Sequence, residues 1–396
     1  MAGRADAALP SNVDVVIVGG GVIGIAAAYE LAPERDVLVV ERGTLALEAS
    51  ALAAGEVTLS TTFTGTDAPL AEHALAFFRS FDGTGEFHFE ERASVELVPE
   101  GQGENAAAYA ESLADRNVNA HYLDRETARE RYPRLDLSSF DGGLQYDDTG
   151  FLDPYTFATT LADSAEARGA TIVTETPVSD VLVDDGTVTG IETAAGSVAA
   201  ETVVVAAGWR TGEFLADHVE LPVRPYRTQC LVLEPDDPVD DSFPMGWLPG
   251  EHVYFRPELN GDILVGGWSF ACDDPAAASS QADEDFKHHV AGLLPRFLEG
   301  GDHAGVVNGW AGIDGATPDT FPIIDAPDPA PDGLVVATGF NGRGVMLAPI
   351  AGTLVRDIAL DTEPSLPDRF RLERFDSTSP DFEFHSISAG DATYEV

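Results

Sequence analysis

At 396 residues and 44% hydrophobic content, the chain can bury a large core and is long enough for two domains. Its apolar runs fall short of a transmembrane helix and its first ten residues lack the apolar stretch of a signal peptide, so a cytoplasmic protein without a membrane span is expected. The 22 basic residues against 68 acidic ones give a formal charge of −46, which argues against nucleic acid and anionic lipid as partners. Hydrophobic content normal for a globular chain excludes a disordered acidic polymer.

The acids are spread along the whole length and Lys287 is the single lysine. This pattern reads as a surface adapted to molar salt, where the Debye length is only ~3 Å. An acidic face that docks a basic partner is the rival reading, and the lack of a localised charge block weighs against it. Cys230 and Cys272 are far apart in sequence and are expected as small hydrophobes, with no disulfide and no metal site.

In chain order, the first element is the most informative. The apolar run Val15-Val16-Ile17-Val18 flows into Gly19-Gly20-Gly21-Val22-Ile23-Gly24 and an Ala-rich helix. A second apolar run, 37–40, ends on Glu41-Arg42, with Glu41 17 residues after Gly24. This is the pattern of a dinucleotide-binding βαβ unit. Gly19 permits the tight turn, Gly21 lets the backbone approach a pyrophosphate, and Gly24 lets helix and strand pack closely. The helix N-terminus offers N–H groups to the phosphates, and Glu41 is placed to hold ribose hydroxyls. The pattern leaves the identity of the nucleotide open.

A Ser/Thr/Ala-rich segment, 43–66, is followed by a helical period over 69–81 and an alternation over 86–99 that predicts a hairpin. Short helices are expected over 105–117 and 124–132. Asp153-Pro154 opens a helix that Gly169 closes. A meander of strands with a turn at Asp184-Asp185-Gly186 leads to an apolar strand over 202–208. From 223 to 269 the pattern is strands separated by Pro and Gly turns, then a helix over 283–297, a buried strand over 333–339 and an apolar helix over 346–360. Two domains therefore interleave: 10–75, 145–220 and 305–365 as the nucleotide-binding domain, and 76–144 and 221–304 as an antiparallel-sheet substrate domain. Residues 366–396 form an acidic tail with Phe375, Phe382, Phe384 and Tyr394, which docks on the surface or on a second subunit. The oligomeric state is left open.

Four separated blocks resemble one family, the D-amino-acid-oxidase-like FAD-dependent amine oxidoreductases that include glycine oxidase, sarcosine oxidase and dimethylglycine dehydrogenase. The first is the βαβ unit with Ser50 and Gly55 beyond it. The second comprises Gly150-Phe151-Leu152-Asp153-Pro154-Tyr155 and the run ending Ala207-Gly208-Trp209. The third is Gly309 to Ile324, containing Thr317-Pro318-Asp319. The fourth is Ala337 to Gly352, containing Gly339-Phe340-Asn341-Gly342-Arg343-Gly344-Val345-Met346. The resemblance implies an α/β fold with a glutathione-reductase-like FAD-binding Rossmann domain and an α+β substrate domain. It implies FAD contacts at these glycine turns and at Val22, Ile23, Arg42 and Val178, with the 339–346 loop wrapping the pyrimidine edge of the flavin. Some relatives tether the flavin through a cysteine or a histidine at positions that are Gly312 and Leu52 here, so dissociable FAD is expected.

In the family, an amine substrate delivers a hydride equivalent to flavin N5 and leaves an imine that water hydrolyses. The protein must chiefly position the reacting carbon and exclude water. The strand 252–257 puts His252, Tyr254 and Arg256 on one face, and Tyr254 matches the active-site tyrosine of sarcosine oxidase relatives. Tyr254 is the expected substrate-orienting hydroxyl. Relatives often grip a substrate carboxylate with an arginine where this chain has Asp314, and sarcosine oxidase uses a lysine where it has Met346. Arg343, Arg256 and Arg227, in that order, are the candidate replacements. Otherwise the substrate has no carboxylate, and Asp314 either favours a second ammonium group or faces solvent. The lysine that assists reaction with oxygen in sarcosine oxidase aligns near Val265, which favours a dehydrogenase with an unidentified electron acceptor. The alternative is a flavin-binding structural or electron-relay subunit without substrate chemistry.

Overall fold

The computed structural model describes residues 9–362, 367–387 and 394. Val15–Val18, Val37–Val40 and Leu334–Thr338 are buried at every residue, as strands covered on both faces must be. They lie in a six-stranded sheet of order Ile323–Asp325, Leu334–Thr338, Thr202–Val205, Val15–Val18, Val37–Val40, Thr171–Val173. All neighbours run parallel except Ile323–Asp325, which is antiparallel. Alternate residues serve two cores. Val15 and Ile17 face the helices Val22–Leu31, Pro154–Ala167 and Gly344–Ala359, while Val16 and Val18 face the three-stranded meander Val178–Asp184, Thr187–Thr193, Gly196–Ala199.

The first helix approaches the glycine turn so closely that a Cβ at Gly24 would sit 2.0 Å from the Gly19 carbonyl oxygen. No side chain fits there, so the glycine spacing read from the sequence is a packing requirement as much as a ligand one. Local signals hold at the helix starts too. Asp153 accepts from the Thr156 amide at 2.7 Å and Asp124 from the Thr127 amide at 2.8 Å.

The second large sheet has eight strands in the order Ala304–Ala316, Arg224–Pro235, Ile263–Ala271, Val253–Pro257, Met245–Leu248, Ser94–Pro99, Phe140–Tyr146, Ala120–Asp124. It is antiparallel apart from the parallel pair Met245–Leu248 and Ser94–Pro99. One face, carrying Val95, Val253, Phe255, Val265 and Leu231, packs on the helix Glu284–Phe297. The other face turns towards the parallel sheet.

Two sequence expectations need correction. The 86–99 hairpin does not form: Phe89–Glu91 pairs with Gly150–Leu152, and Ser94–Pro99 pairs with Phe140–Tyr146. Phe89 belongs to the helix-covered core and Val95 to the core under Glu284–Phe297, so the chain crosses between sheets at this point. His252 does not share a face with Tyr254. Its φ of +58° takes it out of the strand, which begins at Val253, and its carbonyl accepts from the Trp268 amide at 3.2 Å. Among the described residues, no helix is long and apolar enough to cross a membrane.

The tail docks on its own chain where it is described. Phe384 stacks on Tyr226 with ring centroids 4.9 Å apart, and Arg224 Nη1 donates to the Phe382 carbonyl at 2.6 Å. Residues 388–393 and 395–396 lie outside the described residues.

Candidate active site

A cavity of about 1050 Å³ runs from the carboxyl ends of the parallel strands, at Val18, Val40 and Ala206, to the open face of the eight-stranded sheet. At one end the helix Val22–Leu31 starts at Gly21 without a side-chain cap on its N-cap residue, and the Val22 amide donates to Ser50 Oγ at 3.0 Å. Glu41 is fixed there by the Gly20 and Gly43 amides, at 2.7 and 2.8 Å. Arg42 and Arg210 both ion-pair with Glu48, and the Arg210 guanidinium lies 3.9 Å from the Trp209 ring centroid. At the far end the helix Gly344–Ala359 also starts without a side-chain cap. Two helix N-termini on one elongated cavity, the first with only Ser50 Oγ on its Val22 amide, suit an extended ligand with negative or electron-rich groups towards both ends.

Of the residues expected at the cofactor, all line this cavity except Gly24, Gly339 and Asn341. Gly24 acts in packing. Asn341 is buried, and its Oδ1 accepts from the Thr317 amide at 2.9 Å, which fixes the turn that presents Gly342 to Met346.

Strand register builds the opposite wall. Glu96, Trp247, Tyr254, Gly266, Cys230 and Trp310 fall in one row across six strands. The ring of Tyr254 lies across Gly266, and its hydroxyl is 3.9 Å from Cys230 Sγ. Burial pushes the Cys230 thiol up to about 12 and the Tyr254 hydroxyl well above its ordinary range, so both stay protonated at neutral pH. The Trp247 indole N–H is buried with no hydrogen-bond partner. Glu96 also lines this wall, and burial lifts its carboxyl to about 7.

The charged candidates separate clearly. Arg343 lines the cavity, donates from Nη1 to the Thr320 carbonyl at 2.8 Å and lies over the Phe321 ring. Burial lowers its guanidinium to about 10, which still leaves it charged. Arg256 does not line the cavity: Nε and Nη1 donate to the Ala54 and Pro257 carbonyls, at 2.6 and 3.1 Å, and Nη2 pairs with Glu258 at 3.1 Å. Arg227 points away as well, to Asp283 and to the Ser279 and Gln281 carbonyls. Both are used up in holding the fold, which corrects their reading as anion ligands.

Asp314 does not face bulk solvent. One oxygen accepts from the Gly342 amide at 2.7 Å and from the Tyr226 hydroxyl at 3.4 Å, and the other from the Gly315 amide at 2.7 Å. Burial raises its carboxyl while these backbone bonds oppose the rise. Asp314 thus clamps the loop at Gly342 to the sheet edge. Leu52 and Gly312, the positions compared with flavin tethers, face each other: a Cβ on Gly312 would be 3.1 Å from Leu52 Cβ. Val265 is buried against the helix side of the sheet, and Lys287 pairs with Glu284 at 2.7 Å on the outer helix, so no lysine reaches the cavity.

Sequence reasoning passed over Glu56, Trp247, Tyr226 and Glu96. The one local signal was at Glu56, an acid directly after Gly55 at the start of a short strand with a buried partner, Val57. The other three are recognisable only once register brings them beside Tyr254 or Asp314.

Comparison with known proteins agrees with this geometry. The profile of the family described as FAD dependent oxidoreductase matches residues 14–358. Glycine oxidase of Geobacillus kaustophilus is 29% identical over 360 residues, covering 87% of this chain and 92% of its own, and glycine oxidase of Pseudomonas putida is 30% identical over 371 residues, covering 88% and 95%. The crystal structure of the Geobacillus enzyme superposes with a TM-score of 0.82 at 25% identity, over 93% of this chain and 100% of that one. L-Proline dehydrogenase from P. horikoshii shares the fold, with a TM-score of 0.83 at 21% identity over 92% and 99%. The profile match spans both large sheets and all but two of the residues lining the cavity between them, and the chain belongs to the family of FAD-dependent oxidoreductases.

Proposed function

We propose that the chain oxidises the C–N bond of an amino acid or of an N-methylated or cyclic secondary amine, and that its electrons pass to a carrier or quinone instead of oxygen. The observation that carries this reading is the single cavity that joins the Gly19–Gly24 turn, the Gly342–Met346 loop and the Tyr254 face of the eight-stranded sheet. FAD, when bound, supplies the acceptor for the hydride equivalent. Gly19 to Ile23 and Glu41 would hold its pyrophosphate and ribose, and Gly342 to Met346 its pyrimidine edge.

The protein's own groups then have separable tasks. Tyr254, protonated and fixed over Gly266, donates its hydroxyl proton to a substrate oxygen or accepts from its nitrogen. Arg343 is the cavity-lining guanidinium that acts electrostatically on Tyr226, and it serves a carboxylate if the substrate has one. The sheet wall and the tail residue Ile387 keep water from the reacting carbon. The apolar Leu52 and Gly312 contact supports non-covalent attachment. The absence of a cavity lysine supports a dehydrogenase.

The test is anaerobic mixing of the FAD-loaded protein with glycine, sarcosine, D- and L-alanine and L-proline. Loss of flavin absorbance with at least one, and slow recovery in air compared with a quinone, is expected. No response to any amine would make the chain an electron-relay subunit, and recovery in air within turnover time would make it an oxidase.

A further inference from the structure

The tasks above leave several cavity groups unused, and Glu56 is the carboxyl among them with an unpartnered oxygen. Glu56 lines the cavity from the strand Glu56–Val57, which pairs with Gly150–Leu152. The segment before it is held firmly: Arg256 Nε donates to the Ala54 carbonyl at 2.6 Å, and the Leu152 amide donates to the Gly55 carbonyl at 2.9 Å. Glu56 is thus presented by a rigid support, and its Oε1 is buried with no hydrogen-bond partner. A buried carboxyl oxygen without a partner is unfavourable, a cost removed when a ligand donates to it.

The neighbours of Glu56 do not satisfy it. Arg256 is the cation close enough to favour its ionised form, yet that guanidinium is already committed to two carbonyls and Glu258. Tyr254 on the same strand as Arg256, and Cys230 on the strand beyond Gly266, bond weakly to each other. Glu56 lines the same cavity as Tyr254 and the Gly342–Met346 loop, the space in which the substrate nitrogen has to lie.

We infer that Glu56 takes the proton from the ammonium group of the bound substrate. One N–H bond of the ammonium breaks, its electron pair remains on nitrogen, and an O–H bond forms on the carboxylate. The charged pair becomes a neutral amine and a neutral acid, the pairing that a buried site favours. The lone pair so released assists loss of the adjacent C–H hydride, and the proton later returns to solvent. This inference rests on the amine-oxidation reading above. Burial outweighs Arg256 and holds the carboxyl up to about 8 in the empty cavity, which places its titration where it shows in a rate profile.

The test follows anaerobic flavin reduction from pH 6 to 10.5 with whichever of sarcosine, glycine, D-alanine or L-proline reduces the wild type fastest. The second-order rate of the wild type should level off above about pH 8. Glu56→Gln should be about 100-fold slower at pH 7, should climb throughout the range and should approach the wild type only where the free amine predominates. Glu56→Asp should keep the wild-type limb at reduced rate, and it carries the test if the Gln variant fails to take up FAD. tert-Butylamine, which has no α C–H, gives a readout without turnover: its binding at pH 9 should produce the infrared band of a protonated carboxyl in the wild type and none in Glu56→Gln. A Gln profile matching wild type within twofold, or no such band, overturns the role of Glu56 alone. No flavin reduction by any amine overturns the amine-oxidation reading and this inference with it.

Discussion

Tyr254 and Gly266 occupy neighbouring strands in direct register, and the tyrosine ring lies where a side chain on residue 266 would be: a Cβ there would come within 2.3 Å of the Tyr254 Cζ and hydroxyl oxygen. The orientation of the Tyr254 hydroxyl on the sheet wall is therefore set by an absent side chain on the adjacent strand.

Gly266→Ala should displace the ring and slow flavin reduction at least as much as Tyr254→Phe, which removes only the hydroxyl. We expect losses of about 10-fold or more for both, consistent with one lost hydrogen bond to a substrate. Unchanged reduction kinetics in Tyr254→Phe would remove this residue from the site.

Asp314 reaches the cavity loop through the Gly342 amide. Asp314→Ala leaves that amide without its acceptor and should weaken FAD binding about 10-fold, measured by titration of the apoprotein, with folding intact. If affinity is unchanged and only the substrate response alters, Asp314 acts on the substrate and not on the loop.

Glu56 also has a stability signature independent of activity. A carboxyl lifted from 4.5 to about 8 keeps its proton in the folded chain over a range where the unfolded chain has lost it, so stability falls as pH rises through that window. Glu56→Gln removes this decline. Urea melts of the apoprotein should show the variant gaining on the wild type from about pH 4.5 to 8, by on the order of 5 kcal/mol, and the gap should be constant above that. A gap that does not vary with pH would show that the carboxyl is ordinary.

The facing pair Leu52 and Gly312 offers no nucleophile to a flavin. Acid precipitation should leave the flavin in the supernatant, and flavin that remains with the pellet contradicts non-covalent binding.

With a formal charge of −46, self-repulsion should weaken the fold in dilute buffer. The melting temperature should rise between 0.1 and 2 M KCl as screening shortens the Debye length from ~10 Å towards a few ångströms. A salt-independent melting temperature would remove the halophilic reading of the composition.

The cofactor half of the site was legible because its constraints are local. The Gly19 to Gly24 spacing, the two buried strands and Glu41 each follow from one stretch of backbone, and the strands and the tight glycine turn form where the pattern puts them. The substrate wall was less so, because it is made by register between strands distant in sequence. Glu96, Trp247, Tyr254 and Cys230 become neighbours only through four strand pairings, and Asp314 finds Gly342 only across the sheet edge. Where alternation was trusted beyond its range it failed. A left-handed backbone at His252 ended the strand early, and the 86–99 segment divided between two cores that local patterning does not distinguish.

FAD is expected to lie along the cavity from the first glycine turn to the loop before the last helix. Titration of FAD into apoprotein of the wild type and of Gly21→Val tests this most directly, because Gly21 lines the cavity and a Cβ there would meet Ser50 Oγ at 3.4 Å, an ordinary contact. Tight, one-to-one uptake by the wild type and a loss of at least 100-fold in affinity in the variant are expected, since the added side chain occupies the approach to the pyrophosphate. Equal affinity in the two proteins, or no uptake by either, would contradict it.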